Sequence, residues 1–381
     1  MSTCNQSIWF WQRIRSPHMA GLAKALAKRG FQVTFVANEL ISTNRAQQGW
    51  EEPDLDKVTF KLAENKKTVL RLALEAPEDS IHLCQGLRSN GLVGIAQRVL
   101  RKRSLNHWAL MEVVDDSGWL GLIKRGIYRL IFLYWRNHLS GVLAIGNNAL
   151  DWFAARGMKK ECIYNFAYFL KNPQADKLYE LSEKNNESRP FRFVFVGRLV
   201  KLKNVDYLIN AIAALKSKEV ELWIVGNGPE KDRLRLLADS MLPSQVQWFG
   251  TLPISNVPSI IRQADCLVLP SRYDGWGAVV SESLMVGTPV ICSNACGVSA
   301  VVQASGVGGV FNANDIYSLT SALKKQILKG HYNDDLRYLV SKWSKCLDAE
   351  SGAEYLEQII SNVNKDLITE PWVKKKNVYE K

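Results

Sequence analysis

The apolar positions of this chain fall into two alternating series. Residues 6–11 (QSIWFW) form a compact apolar run that predicts a strand. Ser16-Pro17 then reads as an N-cap and first helical residue, and MAGLAKALAKRG keeps helical spacing until Gly30 closes it. FQVTFVA predicts a second strand, so the chain opens β–α–β, an order that favours a parallel sheet. SIHLCQG, WALMEVVDD and GVLAIG continue the series, followed by a helix over about 148–157 and a short strand in CIYNFAYF. The pattern breaks between Leu170 and Pro190, where KNPQADKLYELSEKNNESRP is polar and charged.

A second series follows. FRFVFVG, VELWIVG, VQWFG, CLVLP and TPVICS predict strands, separated by helices over 204–216, 229–240 and 257–263 and by one that ends at Gly287. The fold class expected is α/β: two doubly wound, Rossmann-like domains facing across a cleft. The boundaries expected are 1–170 for the first domain, 171–190 for a linker and 191–355 for the second domain. Residues 356–381 form a closing helix and tail, read either as a return to the first domain or, around Lys374-Lys375-Lys376, as a frayed end.

Ligands bind beyond the carboxyl ends of the strands in such sheets, so the loops there carry the candidate chemistry. After FRFVFV come Gly197, Arg198 and, five residues on, Lys203: a glycine for close backbone approach and two cations suited to a diphosphate. After VELWIV, Gly226-Asn227-Gly228-Pro229 makes a tight turn into a helix, which on its own is also what an ordinary structural turn looks like. After CLVLP, Asp274-Gly275-Trp276-Gly277 precedes a helix beginning near Ala278 and carrying Glu282. Strand, glycine turn and helix start aim backbone amides and a helix dipole at a phosphate. The two carboxylates, eight residues apart, suit polyols on either side of a diphosphate.

Charge changes the picture in the first half. The chain has a formal net charge of +12. Residues 1–170 carry +9 and the remainder +3, with +6 concentrated in residues 85–136. GLIKRGIYRLIFLYWR interleaves Lys124, Arg125, Arg129 and Arg136 with apolar and aromatic residues, and Arg98, Arg101, Lys102 and Arg103 lie just upstream. Such a stretch suits an anionic membrane surface, over residues 97–136, or a core helix with a solvated cationic edge. No helix-turn-helix, RNA-binding or zinc motif appears, so no nucleic-acid partner is expected. No apolar run reaches 18 residues, and the start of the chain lacks the pattern of a secretory signal. The seven cysteines are scattered without a CxxC pair, which predicts no metal site and reduced thiols in a cytoplasmic protein, peripheral at the inner face of the membrane.

The ordered set GRLVKLKN, VGNGP, VQWFG, LPSRYDGWGAVVSESLMVGTPVICS and SGVGGVF, over about 192–325, resembles the C-terminal domain of family 4 glycosyltransferases, which have the GT-B fold. SPHMAGLAKALAKRGFQVTFVA and GWLGLIKRGIYRL…GVLAIG…WFAARG resemble members that act on bacterial surface polysaccharides. The resemblance implies a metal-independent hexosyltransferase without a cofactor. A UDP- or GDP-linked sugar would be moved with retention to a lipid-linked glycan acceptor such as a lipopolysaccharide or O-antigen precursor. The first domain would bind the acceptor and the second the nucleotide sugar. Gly197, Arg198 and Lys203 would hold the diphosphate and Glu282 the ribose, and the amides at Gly275, Trp276, Gly277 and Ala278, with Gly226, would line the donor. The family's first motif glutamate is here Asp274, which ends about 1.5 Å sooner and puts the sugar's identity in question.

The first domain departs further from the family pattern. In place of a Gly-rich loop it has Gln12-Arg13-Ile14-Arg15, where Arg13 and Arg15 read as donor ligands or as surface arginines. The family's sugar-contacting histidine is absent, and Asp115 or Asp116 would stand in for it. His107, before its strand, is expected to be structural or on the surface, and His18, in a first helical turn, is a weaker candidate. Two other readings remain open: a sugar-nucleotide epimerase on a similar fold, and a non-catalytic nucleotide-sugar-binding protein.

Overall fold

The computed structural model describes residues 6–173, 189–361, 368–375 and 377–379. Most of the expected linker, residues 174–188, lies outside them. The chain divides into two compact units. The first comprises residues 1–43, 52–171 and 348–370, and the second 44–51, 172–347 and 371–381. The 356–381 stretch is therefore divided: residues up to Glu370 group with the first unit, and the tail from Pro371 groups with the second.

Elements run in the order β1 Ser7–Ile14, α1 Pro17–Lys28, β2 Gln32–Glu39, α2 Thr43–Ala46, β3 Thr59–Leu62, α3 Lys66–Glu75, β4 Ile81–Gln85, α4 Val93–Lys102, β5 Asn106–Glu112, α5 Gly118–Trp135, β6 Gly141–Ile145, α6 Ala149–Ala154 and β7 Ile163–Phe166. Then come β8 Phe191–Val196, α7 Val205–Ala213, β9 Val220–Val225, α8 Lys231–Met241, β10 Val246–Gly250, α9 Val257–Gln263, β11 Cys266–Leu269, α10 Ala278–Met285, β12 Val290–Ser293, α11 Ser299–Ser305, β13 Gly308–Phe311, α12 Ile316–Leu328, α13 Asp334–Ser344 and α14 Ala349–Ile360.

Both sheets are parallel and share one topology. The first unit has strand order β3-β2-β1-β4-β5-β6-β7 and the second β10-β9-β8-β11-β12-β13. In each, the first strand lies between the second and the fourth, so the winding reverses once. The reversal falls between β1 and β4 in the first sheet and between β8 and β11 in the second. Both are Rossmann-like α/β domains.

The first strand is longer than its apolar run suggests. It pairs with β2 as far as Ile14 with Glu39, so Gln12 and Arg13 are strand residues rather than loop. Parallel pairing needs backbone rather than apolar side chains, which is why hydropathy ended the strand early. Ser16 precedes Pro17 as expected, but its side chain makes no capping bond; its carbonyl accepts the Met19 and Ala20 amides instead. In the same unit α14 lies against α1. A Cβ at Gly21 would come 2.9 Å from the Lys171 amide nitrogen, so only glycine allows this approach. Arg29 Nε donates to Glu357 at 2.9 Å along the seam.

Trp9, Trp11, Val69, Leu72, Ala96 and Leu100 form one core of the first sheet, and Met111, Phe132, Val142 and Phe153 another. The first core encloses a polar chain. Trp11 Nε1 donates to His82 Nδ1 at 3.0 Å, so the His82 proton sits on Nε2, which faces Ser80 Oγ at 2.9 Å. Burial pushes the imidazole down to about 3, and it stays neutral in the core. His107 is likewise fully buried, inside β5 rather than before it, and is structural. The described cysteines are free thiols.

Candidate functional site

The second unit gathers its chemistry at the loops that flank its point of reversal. β8 ends in Gly197, whose φ of +155° and backbone close the turn. A Cβ on Gly226 would lie 1.9 Å from the Gly197 carbonyl oxygen, and one on Gly228 2.3 Å from that of Leu199. The two glycine turns therefore pack backbone on backbone, which no other residue permits. Leu199 is fully buried and anchors the loop, whereas Arg198 points outward and is exposed. A single 3₁₀ turn, Lys201–Lys203, follows, and Asn204 at φ +56° turns the chain into α7.

The loop after β11 comes back onto this one. The Arg272 amide donates to the Leu202 carbonyl at 2.9 Å, and Arg272 Nε to Asn204 Oδ1 at 3.0 Å. Lys203 Nζ forms an ion pair with Asp274 Oδ2, both side chains being largely buried. Residues 274–276 are clamped on their other side. The Asp274 amide donates to the Ala295 carbonyl at 3.2 Å, and the amides of Gly297 and Val298 donate to the carbonyls of Asp274 and Trp276 at 2.8 and 2.9 Å. Gly277, at φ +93°, then starts α10 with no side-chain cap. The Val280 amide donates back to the Gly277 carbonyl at 2.9 Å, so the amides of Ala278 and Val279 are what the helix start offers an outside acceptor, with the dipole's positive end behind them. The Trp276 ring turns inward and donates to Ser281 Oγ at 3.3 Å, so only its backbone faces the loop.

Glu282 lies one turn into α10. Burial pushes its carboxyl up to about 7, although part of the side chain still reaches the surface. Among the described residues no cation pairs with it. It is a carboxyl without its natural partner, of the kind that cleft sites carry. Asn204 Nδ2 and Ser271 Oγ, at the same strand ends, are buried donors that have no partner among the described residues. Arg272, Asn204 and Ser271 were not singled out from the sequence. Arg272 and Ser271 stand inside the LPSRYDGWG motif, but only the meeting of the β8 and β11 loops gives them a place.

The second unit's other charged cluster is structural. Asp265 is held by Arg189 at 2.6 and 2.7 Å, by the Arg192 amide at 2.8 Å and by His331 at 2.9 Å. Burial alone would raise its carboxyl, but these partners hold it below the ordinary value. It precedes β11 and so sits at the end of the sheet away from the glycine turns.

The first unit treats its candidates differently. Arg13 is exposed at the end of β1, and its amide donates to Gln85 Oε1 at 2.9 Å. Arg15 pairs with Glu52 at 3.4 Å and lies 4.8 Å over the Phe60 ring, so its guanidinium is engaged within the unit. Asp115 accepts the Ser117 hydroxyl and amide at 2.7 and 3.1 Å, bonds that hold its carboxyl below the ordinary range. Asp116 pairs with Arg156, which also stacks 4.0 Å over Trp152. A group that sequence reasoning passed over is Glu112, the last residue of β5. It accepts the Tyr168 hydroxyl at 2.7 Å, and the His18 ring lies 5.4 Å from that of Tyr168. Among the described residues no group of three or more His, Cys, Asp or Glu side chains is placed to hold a metal ion.

Two parallel Rossmann-like sheets with a glycine-lined, cation-bearing turn in the second define the GT-B fold. The family described as glycosyl transferases group 1 matches residues 179–343. The chain is similar to HepE of Anabaena in complex with UDP, with a TM-score of 0.70 at 14% identity over 94% of this chain and 100% of that one. It is also similar to the lipopolysaccharide outer core galactosyltransferase WaaB, with a TM-score of 0.66 at 14% identity over 93% and 99%. Among curated relatives, D-inositol 3-phosphate glycosyltransferase of Corynebacterium jeikeium is 29% identical over 45% of this chain and 43% of its own length. The lipopolysaccharide core biosynthesis glycosyltransferase LpsD of Rhizobium meliloti is 32% identical over 35% and 38%. The chain thus spans under half the length of the curated relatives it matches. It is a GT-B fold protein in which residues 179–343 match the glycosyl transferases group 1 family.

Proposed function

We propose that this chain is a retaining, metal-independent glycosyltransferase that moves a sugar from a nucleoside-diphosphate sugar to a lipid-linked bacterial glycan. The observation that carries the reading is the meeting of the β8 and β11 loops, where Arg198, the Lys203–Asp274 pair and the open first turn of α10 share one strand end. Charge grows on the distal phosphate as the glycosidic bond breaks. Arg198, Lys203 and the α10 amides are the groups that would stabilise it. Because Lys203 and Asp274 touch, one would hold the phosphate while the other holds a hydroxyl of the sugar joined to it. Glu282 would accept the ribose hydroxyls. Those bonds favour the ionised carboxylate and so supply the partner that Glu282 lacks. No carboxylate of this cluster is in a nucleophile's position by motif, so retention would follow from front-face attack by the acceptor on the phosphate side.

From the first unit we retain Arg13 as a donor ligand and Asp115 as the residue that holds a sugar hydroxyl or the acceptor, while Arg15 and Asp116 are tied up in ion pairs. The lipid-linked acceptor is supported by α5. Its Tyr128, Phe132 and Trp135 are buried, yet Trp119, Leu122, Ile123 and Leu130 stand more than half exposed beside the exposed Arg125 and Arg129. An apolar face bordered by cations suits the headgroup region of an anionic membrane at the inner leaflet. No helix of the described residues is long and apolar enough to cross a membrane.

The test is a screen of UDP- and GDP-sugars with and without lipid-linked oligosaccharide. A transferase releases nucleoside diphosphate in proportion to acceptor. Conversion of the free nucleotide sugar without acceptor would establish an epimerase instead, and tight donor binding with no release under any acceptor would establish a binding protein.

A further inference from the structure

The described residues of the tail are tied to the second unit. Lys375 Nζ donates to the Trp343 carbonyl at 3.0 Å, the Val378 amide donates to the Ser305 carbonyl at 3.0 Å, and the hydroxyls of Tyr379 and Tyr332 meet at 2.5 Å. Residues 371–375 and 377–379 thus run as a strap over α13, α11 and the segment before α13. The strap begins with Trp372, which is 6% exposed. Its ring centroid lies 6.0 Å from that of Trp276, at an interplanar angle of 57°.

Trp276 stands between two glycines, and Gly277 is held at a positive φ. A glycine pair gives the backbone its greatest freedom, so the glycines themselves do not fix this turn. Backbone bonds to residues 295–298 hold it on one side, and the ring between the glycines holds it on the other: the ring is 3% exposed and packed between Ser281 on α10 and Trp372 on the strap. One side of its socket is therefore local, and the other comes from nearly a hundred residues further along the chain. Losing the Trp372 side would expose apolar ring surface and release the turn that aims the α10 amides and sets Asp274 against Lys203.

We propose that this strap positions the donor loop, with Trp372 holding the Trp276 ring and thereby helping to set the geometry of the phosphate-binding turn. This rests on the reading of that turn as the nucleotide site. Trp372 touches no substrate; it acts through Trp276. Aromatic pairs contribute enough beyond area burial to move an equilibrium about two- to tenfold.

The test is titration calorimetry of the full chain with UDP and with GDP, on wild type, Trp372→Ala and Trp372→Phe, with thermal melting in parallel. The strap predicts about fivefold to tenfold weaker binding of the preferred nucleotide in Trp372→Ala and recovery to within about twofold in Trp372→Phe. If Trp372→Ala does not accumulate as folded protein, Trp372→Leu, which keeps apolar volume and loses the ring, carries the same comparison. Unchanged affinity in a variant whose melting temperature falls would overturn the proposal, since Trp372 would then be only part of the core. A wild-type chain that binds neither nucleotide removes the site itself and the strap's role with it. Wild-type binding with unaltered variants removes the strap alone.

Discussion

The two units wind their sheets in the same order, yet their points of reversal differ in what they leave unsatisfied. At β8/β11 the backbone is pared to glycine, Arg198 has no ion pair among the described residues, Glu282 is a buried carboxyl without a cation, and α10 begins uncapped. Along β1 and β4 several comparable groups are occupied, although the Arg13 side chain is exposed like that of Arg198. Gln85 holds the Arg13 amide, Arg15 lies between Glu52 and Phe60, and the Asn90 amide group is shared among the Gln85 and Gly86 carbonyls and Gln97. Shared topology puts strand-end loops of the same kind in both places, and both hold unpartnered groups, Gln12 Nε2 and Arg15 Nε in the first and Asn204 Nδ2 and Ser271 Oγ in the second; what the second adds is Glu282, a carboxyl with no cation among the described residues. A group left without a partner costs stability that a ligand can return, so the contrast rests on Glu282 and on how far Arg15 is engaged.

The largest expected effect follows directly. Lys203→Ala and Arg198→Ala should each lower transfer at least a hundredfold by removing a charge-stabilising contact, whereas Arg15→Ala should cost less than tenfold. Initial rates of nucleoside diphosphate release measure all three, and an Arg15 loss equal to that of Lys203 would erase the contrast.

Glu282 sharpens it in a second way. A carboxyl raised from 4.5 to about 7 favours folding less as it ionises, so its cost is absent below the unfolded value and complete above the folded one. Glu282→Gln should therefore stabilise the protein at pH 8 by up to about 3 kcal/mol, at about 1.4 kcal/mol per pKa unit, and leave it unchanged near pH 4. It should do so while lowering transfer. Urea unfolding at the two pH values checks this, and a destabilised variant at pH 8 would mean that the carboxylate is structural.

The smallest effect concerns α5. Sedimentation with phosphatidylglycerol vesicles should fall with added salt, and Arg125→Gln with Arg129→Gln should weaken binding several-fold. Arg103, although part of the same basic run, should matter less. Its guanidinium donates to the Ala73 and Ala76 carbonyls at 2.9 and 2.8 Å and serves as a C-terminal cap for α3. Salt-independent binding would shift the weight to the exposed apolar residues.

Much of this was legible along the chain. The alternation of apolar runs with helical spacing announced two α/β series, and the glycine–cation and glycine–tryptophan turns stood out because glycine and charge at a strand's end are local signals. What escaped notice was marked weakly. β3 and α3 are short and largely polar on their outer faces, and the strap has almost no apolar periodicity. Arg15 and Asp116 looked as available as Arg198, because the partners that occupy them lie about 40 residues away.

The amino-acid order by itself determined the strands, the turns and the residue types offered to a ligand, since backbone preference and hydrophobic period act over a few neighbours. Tertiary structure alone decided which charges remain open, that Lys203 meets Asp274, and that Trp372 closes on Trp276. Those outcomes depend on desolvation and contact between segments remote in sequence, and no local pattern encodes them.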